Sequence, residues 1–101
     1  MYYYVYILLL INKQFYTGFT GDLKKRIAQH NSGEVKSTRY RRPVKLIHCE
    51  IYLRESDARR REKFLKTTEG KRLLKMQIRD LFNEIRWRGG RAVEGAALEK
   101  P

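Results

Sequence analysis

The spacing of apolar and polar positions changes several times along the chain. From Tyr2 to Ile11 nearly every residue is aromatic or aliphatic, and neither Gly nor Pro interrupts. A run apolar on both alternating faces predicts a central strand covered on both sides. Asn12-Lys13 reads as a turn, and Gln14 to Gly18 as the returning strand. Side chains of a hairpin share a sheet face across the turn when the loop is odd in length, so a loop of about three residues would put Tyr6 and Tyr16 together.

After Gly21 the period lengthens. Leu23, Arg26, Ile27 and His30 recur at helical spacing and form one stripe of a helix running to Asn31. Thr20 is the expected cap, Asp22 lies in the first turn, and Gly33 suits a left-handed stop. Leu23 and Ile27 should face the sheet, which places Arg26 and His30 at the edge of the core. Gly33 to Pro43 reads as a basic loop, and Val44 to Leu53 as a third strand.

Ser56 or Asp57 is the expected cap of a helix from Ala58 to Lys66. Gly70 reads as an interruption before a last helix, Lys71 to Ile85. Its stripe is Leu74, Ile78, Leu81 and Ile85, with Trp87 closing it. From Arg88 to Pro101 glycines recur and no amphipathic pattern emerges, so this stretch is expected to be a disordered tail. Arg88-Gly89-Gly90-Arg91 is similar to one copy of an RNA-binding RGG segment. The pattern predicts one α/β domain over residues 1–87: a small three-stranded, mainly antiparallel sheet flanked by helices.

Composition adds a partner. The chain has 101 residues, enough for one domain and one modest core. Lys and Arg number 23 against 11 acidic residues, a formal net charge of +12. Such charge favours a polyanion, because each neutralised phosphate releases counterions. Nucleic acid is the favoured partner, ahead of a ribosomal or membrane surface. Cys49 is the lone cysteine, which rules out an intramolecular disulfide and a Cys-rich zinc site. It reads as a small buried filler, and His48 as structural. Val5 to Ile11 is too short to span a bilayer and has no basic segment before it. No membrane association and a cytoplasmic location are expected.

Two tyrosine motifs identify a family resemblance. Tyr4-Val5-Tyr6-Ile7-Leu8 is followed by Tyr16-Thr17-Gly18, and then by a helix carrying Arg26 and His30. Over Tyr2 to Lys75 the chain resembles the GIY-YIG nuclease domain. Within it, the chain is similar to small stand-alone bacterial proteins of the YhbQ-like group, which share the fold of the excinuclease C amino-terminal domain. His30-Asn31-x-Gly33, Pro43-Val44-x-Leu46 and Arg61-Glu62-Lys63 carry the closer likeness. The first motif departs from the pattern, with Tyr4 where its glycine would stand. Phe19 follows Gly18 where some members carry lysine. A late asparagine has only the distant candidate Asn83.

The resemblance implies metal-dependent hydrolysis of a nucleic-acid phosphodiester bond, with Mg2+ or Mn2+, DNA favoured over RNA, and a role in DNA repair or processing. Such chemistry needs an activated water, a cation, a held phosphate and an assisted leaving group. Glu62 shares an inward helical stripe with Ala58 and Leu65, and the family places its metal-binding glutamate here. The plainer role for Glu62 is an ion pair with Arg59 or Lys66. Arg26 takes the family's phosphate-binding arginine position, while Lys24 and Lys25 are solvated. His30 is either structural or a proton carrier, its ordinary pKa of roughly 6.5 suiting that work.

The resemblance implicates Tyr6 and Tyr16 in binding or activating the water and leaves open which is the base. Gly18 permits close approach at the strand end. Lys36, Thr38, Arg39, Arg41 and Arg42 are expected on flanking phosphates. Two other readings stand beside the nuclease. One is a non-catalytic nucleic-acid-binding module. The other is a basic protein-interaction domain that docks through its last helix.

Overall fold

The computed structural model describes residues 1–88. The chain runs through β1 (Tyr3–Leu9), β2 (Phe15–Thr20) and α1 (Leu23–Asn31). It continues through a short 3-10 turn (Arg39–Arg41), β3 (Lys45–Tyr52), α2 (Glu55–Leu65), α3 (Thr68–Gln77) and α4 (Arg79–Arg88). The sheet order is β2-β1-β3 and both pairings are antiparallel. The strand apolar on both faces is therefore the central one, as expected.

Each face of β1 has its own cover. Val5 and Ile7 are buried with Ala58, Leu65 and Leu74, so α2 and α3 form the layer on that side. Tyr6 and Leu8 point the other way, against Leu23 and Ile27 of α1, with Leu10, Val44 and Tyr16 alongside. Burying one such aliphatic side chain contributes roughly 1.5–3 kcal/mol.

The hairpin explains why the two tyrosines meet. The Leu10 N–H donates to the Gln14 carbonyl at 2.9 Å, and the Lys13 N–H to the Leu10 carbonyl at 2.9 Å. Lys13 closes the turn at φ 73°. These bonds leave a three-residue loop, Ile11 to Lys13, of the kind built from a turn followed by a left-handed residue. Leu8 then pairs with Tyr16 and Tyr6 with Gly18, so Tyr6 and Tyr16 share a face.

Several local expectations are corrected. The cap of α1 is Asp22, which accepts from the Lys25 N–H at 3.1 Å. Thr20 instead accepts from the Asp22 N–H at 3.0 Å. Asp22 stands directly before the first helical residue, where a short carboxylate reaches the free amides. Helix α2 starts a turn earlier than expected. Its cap residue, Arg54, makes no side-chain cap bond, and Glu55 and Asp57 place negative charge in the first turn instead.

Gly70 is no interruption. It lies buried in the first turn of α3, its N–H donating to Thr67 Oγ1 at 3.0 Å. A Cβ there would stand 1.9 Å from the Phe64 carbonyl oxygen, so α3 begins pressed against the end of α2. The expected last helix is two helices, parted at Ile78 (φ −112°, ψ 37°). Leu74 is buried, Ile78, Leu81 and Ile85 are half-buried, and Trp87 is exposed rather than closing the stripe. Arg88 ends α4, and the rest of the expected tail lies outside the described residues. Among the described residues, no helix is long and apolar enough to cross a membrane.

Candidate active site

On the face covered by α1, the two helix residues singled out by their spacing meet the two tyrosines. The Tyr6 hydroxyl lies 2.9 Å from His30 Nε2. Arg26 Nε–H donates to the Tyr6 oxygen at 3.4 Å. His30 Nδ1 lies 2.9 Å from Thr38 Oγ1, which donates to the Val35 carbonyl at 3.5 Å. Tyr6, His30 and Thr38 are all fully buried.

The neutral imidazole donates through one ring nitrogen and accepts through the other, so Tyr6, His30 and Thr38 form one hydrogen-bonded run with Arg26 at its open end. Both tyrosine rings meet the imidazole edge-on, with centroids 5.6 Å (Tyr6) and 5.2 Å (Tyr16) from it.

Burial sets the electrostatics. It holds His30 down to about 4, and the Arg26 charge acts in the same direction. The imidazole is neutral at ordinary pH. The expectation that an unperturbed pKa suits His30 to carry protons does not hold for this buried ring. Burial also pushes the Tyr6 phenol up, against the opposing Arg26 hydrogen bond, with the Tyr16 and Glu62 charges adding to the rise. Tyr6 is thereby held protonated and makes a poor base.

Tyr16 is half-buried, and its oxygen accepts from Ser37 Oγ at 3.4 Å. Gly18 lies beneath the Tyr6 ring, so its close approach is to a side chain of the protein itself. Gln29 holds Arg26, accepting from Nη1 at 3.1 Å. The sequence reading missed it, although its place three residues after Arg26 is a helical-neighbour spacing. Nothing local marked Ser37.

Glu62 projects from α2, whose Ala58 and Leu65 pack on the Val5–Ile7 face of the sheet; it is ion-paired with Lys66 at 2.9 Å, and its charge reaches Tyr6. Among the described residues, no three His, Cys, Asp or Glu side chains gather as a metal cluster.

The basic loop divides. Thr38 is not on the surface to meet a phosphate, because its hydroxyl is committed beneath His30. Arg39 Nε–H donates to the Gly33 carbonyl at 2.9 Å, and Arg42 Nε–H to the Arg39 carbonyl at 2.8 Å. Arg41 donates to the Ser37 carbonyl at 2.5 Å and to Gln14 Oε1 at 3.1 Å. These arginines brace the loop as well as charging it. Lys36 is exposed.

A second polar group lies on the α2 side of the sheet. Arg61 grips Glu50 with two bonds, of 2.9 and 3.1 Å. The Tyr52 hydroxyl donates to Glu50 at 2.8 Å, and His48 Nε2 lies 3.0 Å from it. His48 is structural in this sense. Cys49 is half-buried, with burial raising its thiol pKa, and it sits opposite Tyr6 on the neighbouring strand.

Comparison with known proteins places the chain. A family model described as the GIY-YIG catalytic domain matches residues 2–76. A UPF0213 protein of Staphylococcus haemolyticus is 43% identical over 74 residues, covering 72% of this chain and 90% of that protein. A UPF0213 protein of Streptococcus pyogenes serotype M3 is 52% identical over 50 residues, covering 48% of this chain. The match spans about half, 54%, of that streptococcal protein. The solution NMR structure of a UPF0213 protein from Bacillus halodurans is 32% identical, with 90% of this chain and 89% of that chain covered and a TM-score of 0.49. The chain belongs to the GIY-YIG family.

Proposed function

We propose that this GIY-YIG protein is an endonuclease that hydrolyses nucleic-acid phosphodiester bonds with a divalent metal ion. DNA is preferred to RNA, and the setting is DNA repair or processing. The observation that carries this reading is the buried chain Arg26–Tyr6–His30–Thr38 beneath the more open Tyr16. A packed hydrogen-bond chain of this kind holds side chains in a fixed orientation, which positioning a phosphate requires.

Each residue then has a distinct task. Arg26, steadied by Gln29 and Tyr6, offers its guanidinium to a phosphate oxygen. Tyr16, less buried than Tyr6, is the phenol that faces the attacking water. Tyr6 and His30 are positioning residues, since both are closed off from solvent. Lys36, Arg39, Arg41 and Arg42 attract the flanking backbone.

Glu62 would hold the metal. Magnesium keeps several waters and binds through one or two carboxylates plus phosphate oxygens. A single carboxylate with 21% of its side chain exposed fits that demand, and the cation would replace Lys66 as its partner. A divalent ion held there would offset charge on the phosphate and acidify a water.

The test is a nicking assay on labelled DNA and RNA with Mg2+ or Mn2+, using the wild type and Glu62→Gln. Cleavage should fall by at least ~100-fold in the variant, the scale of one lost transition-state contact. Nucleic-acid binding should persist. Equal metal-dependent rates would end the assignment of Glu62. Salt-dependent binding without any wild-type cleavage would favour a non-catalytic binding module, which the Glu62–Lys66 ion pair also suits.

A further inference from the structure

Between β2 and the α3–α4 pair lies a cavity of about 440 Å³. That volume is within the ~300–1,000 Å³ typical of small-ligand sites. Tyr16 forms part of its wall, while Phe15, Leu65 and Leu74 place its floor on the α2–α3 side of the sheet. Phe15, Leu74 and Phe82 give it an apolar floor, the two phenyl rings meeting edge to face with centroids 6.0 Å apart. Lys13, Arg41, Lys71 and Lys75 supply positive charge, and none of its described lining residues is acidic. Lys75 Nζ stands 5.2 Å from the Phe82 ring centroid, so a cation and an aromatic face already adjoin.

We propose that this cavity receives one unstacked nucleobase of the bound strand. The proposal rests on the reading of this chain as a nucleic-acid-binding protein. A base offers a flat π face to the aromatic floor, and its own phosphates meet the lining cations. Simple phosphate binding would use the charges and leave the apolar floor idle. An apolar ligand would leave the charges idle. A nucleotide uses both, and Thr17 at the wall adds a hydroxyl able to meet a base edge.

The test compares two short strands of equal length on the full chain in metal-free buffer, so that neither is cut. One is an oligothymidine and the other is its fully abasic counterpart. Phe82→Leu keeps apolar bulk but removes the aromatic face. It should weaken the oligothymidine by ~10-fold, the scale of one lost base stack, and leave the abasic strand unchanged. A melting curve checks that the variant folds, and Lys71→Ala, at an exposed position, should weaken both strands alike. Equal losses for both strands with Phe82→Leu, or none, would overturn the proposal and leave charge alone as the binding force. Base-dependent binding by a wild type that never cleaves would instead overturn the nuclease reading and keep the pocket.

Discussion

The Tyr6 ring lies across Gly18, its partner on the neighbouring strand. A Cβ at residue 18 would stand 2.2 Å from the Tyr6 Cζ and 2.3 Å from its hydroxyl oxygen. No rotation of a methyl group relieves such an overlap. The absent side chain is what lets Tyr6 reach His30 and Arg26 at once.

Gly18→Ala should therefore displace the Tyr6 ring and break its bond to His30. Overpacking of this kind costs roughly 1–3 kcal/mol, to which the orphaned buried imidazole adds. Chemical denaturation would show a lower midpoint. Cleavage should fall further than stability alone explains, and a wild-type midpoint with wild-type cleavage would contradict the placement of Tyr6.

The lowered His30 pKa predicts a pH dependence with a definite sign. The unfolded chain takes up this proton near its ordinary value of roughly 6.5, whereas the folded chain resists it down to about 4. Stability from the neutral ring is complete above the higher value and declines as pH falls toward the lower one. The full loss is roughly 3 kcal/mol. Glu50, whose pKa lies below the ordinary carboxylate value because the Arg61, His48 and Tyr52 hydrogen bonds overcome its burial, acts at lower pH. Denaturation midpoints between pH 4 and 7 should slope for the wild type and flatten for His30→Gln.

Gly70→Ala should be among the most damaging changes in the second half of the chain. The added methyl meets the Phe64 carbonyl at 1.9 Å, a backbone atom that cannot swing away. A loss of roughly 3 kcal/mol, the upper end for overpacking, is expected. Circular-dichroism melts would show it, whereas Gly21→Ala, with nothing within 4 Å of the new Cβ, should melt like the wild type.

Binding should weaken steeply with salt if phosphates are the partner. Arg41→Ala with Arg42→Ala should reduce affinity equally for unrelated sequences and make the salt dependence shallower. Fluorescence anisotropy across a salt series measures both. Salt-independent affinity would point to a protein partner instead.

What the sequence determined was local. Strand and helix periods are properties of neighbouring residues, so the three strands, the Leu23–Ile27 stripe and the left-handed Gly33 (φ 86°) were legible. The shared face of Tyr6 and Tyr16 followed from loop parity. Arg26 and His30 followed from helical spacing, though nothing in that spacing showed that His30 would be fully enclosed.

What the tertiary structure decided depended on segments distant in sequence. Thr38 looks like a surface threonine in a basic loop until His30 closes over it. Gly70 looks like a breaker until Phe64 presses against it. The break at Ile78 has no Gly or Pro to announce it, and Ile78 packs against the core where α3 ends. Glu62 shows the same limit. Its stripe with Ala58 and Leu65 was readable, but that those two would be buried against Val5 and Ile7, with the Glu62 charge still reaching Tyr6, depended on how α2 lies on the sheet.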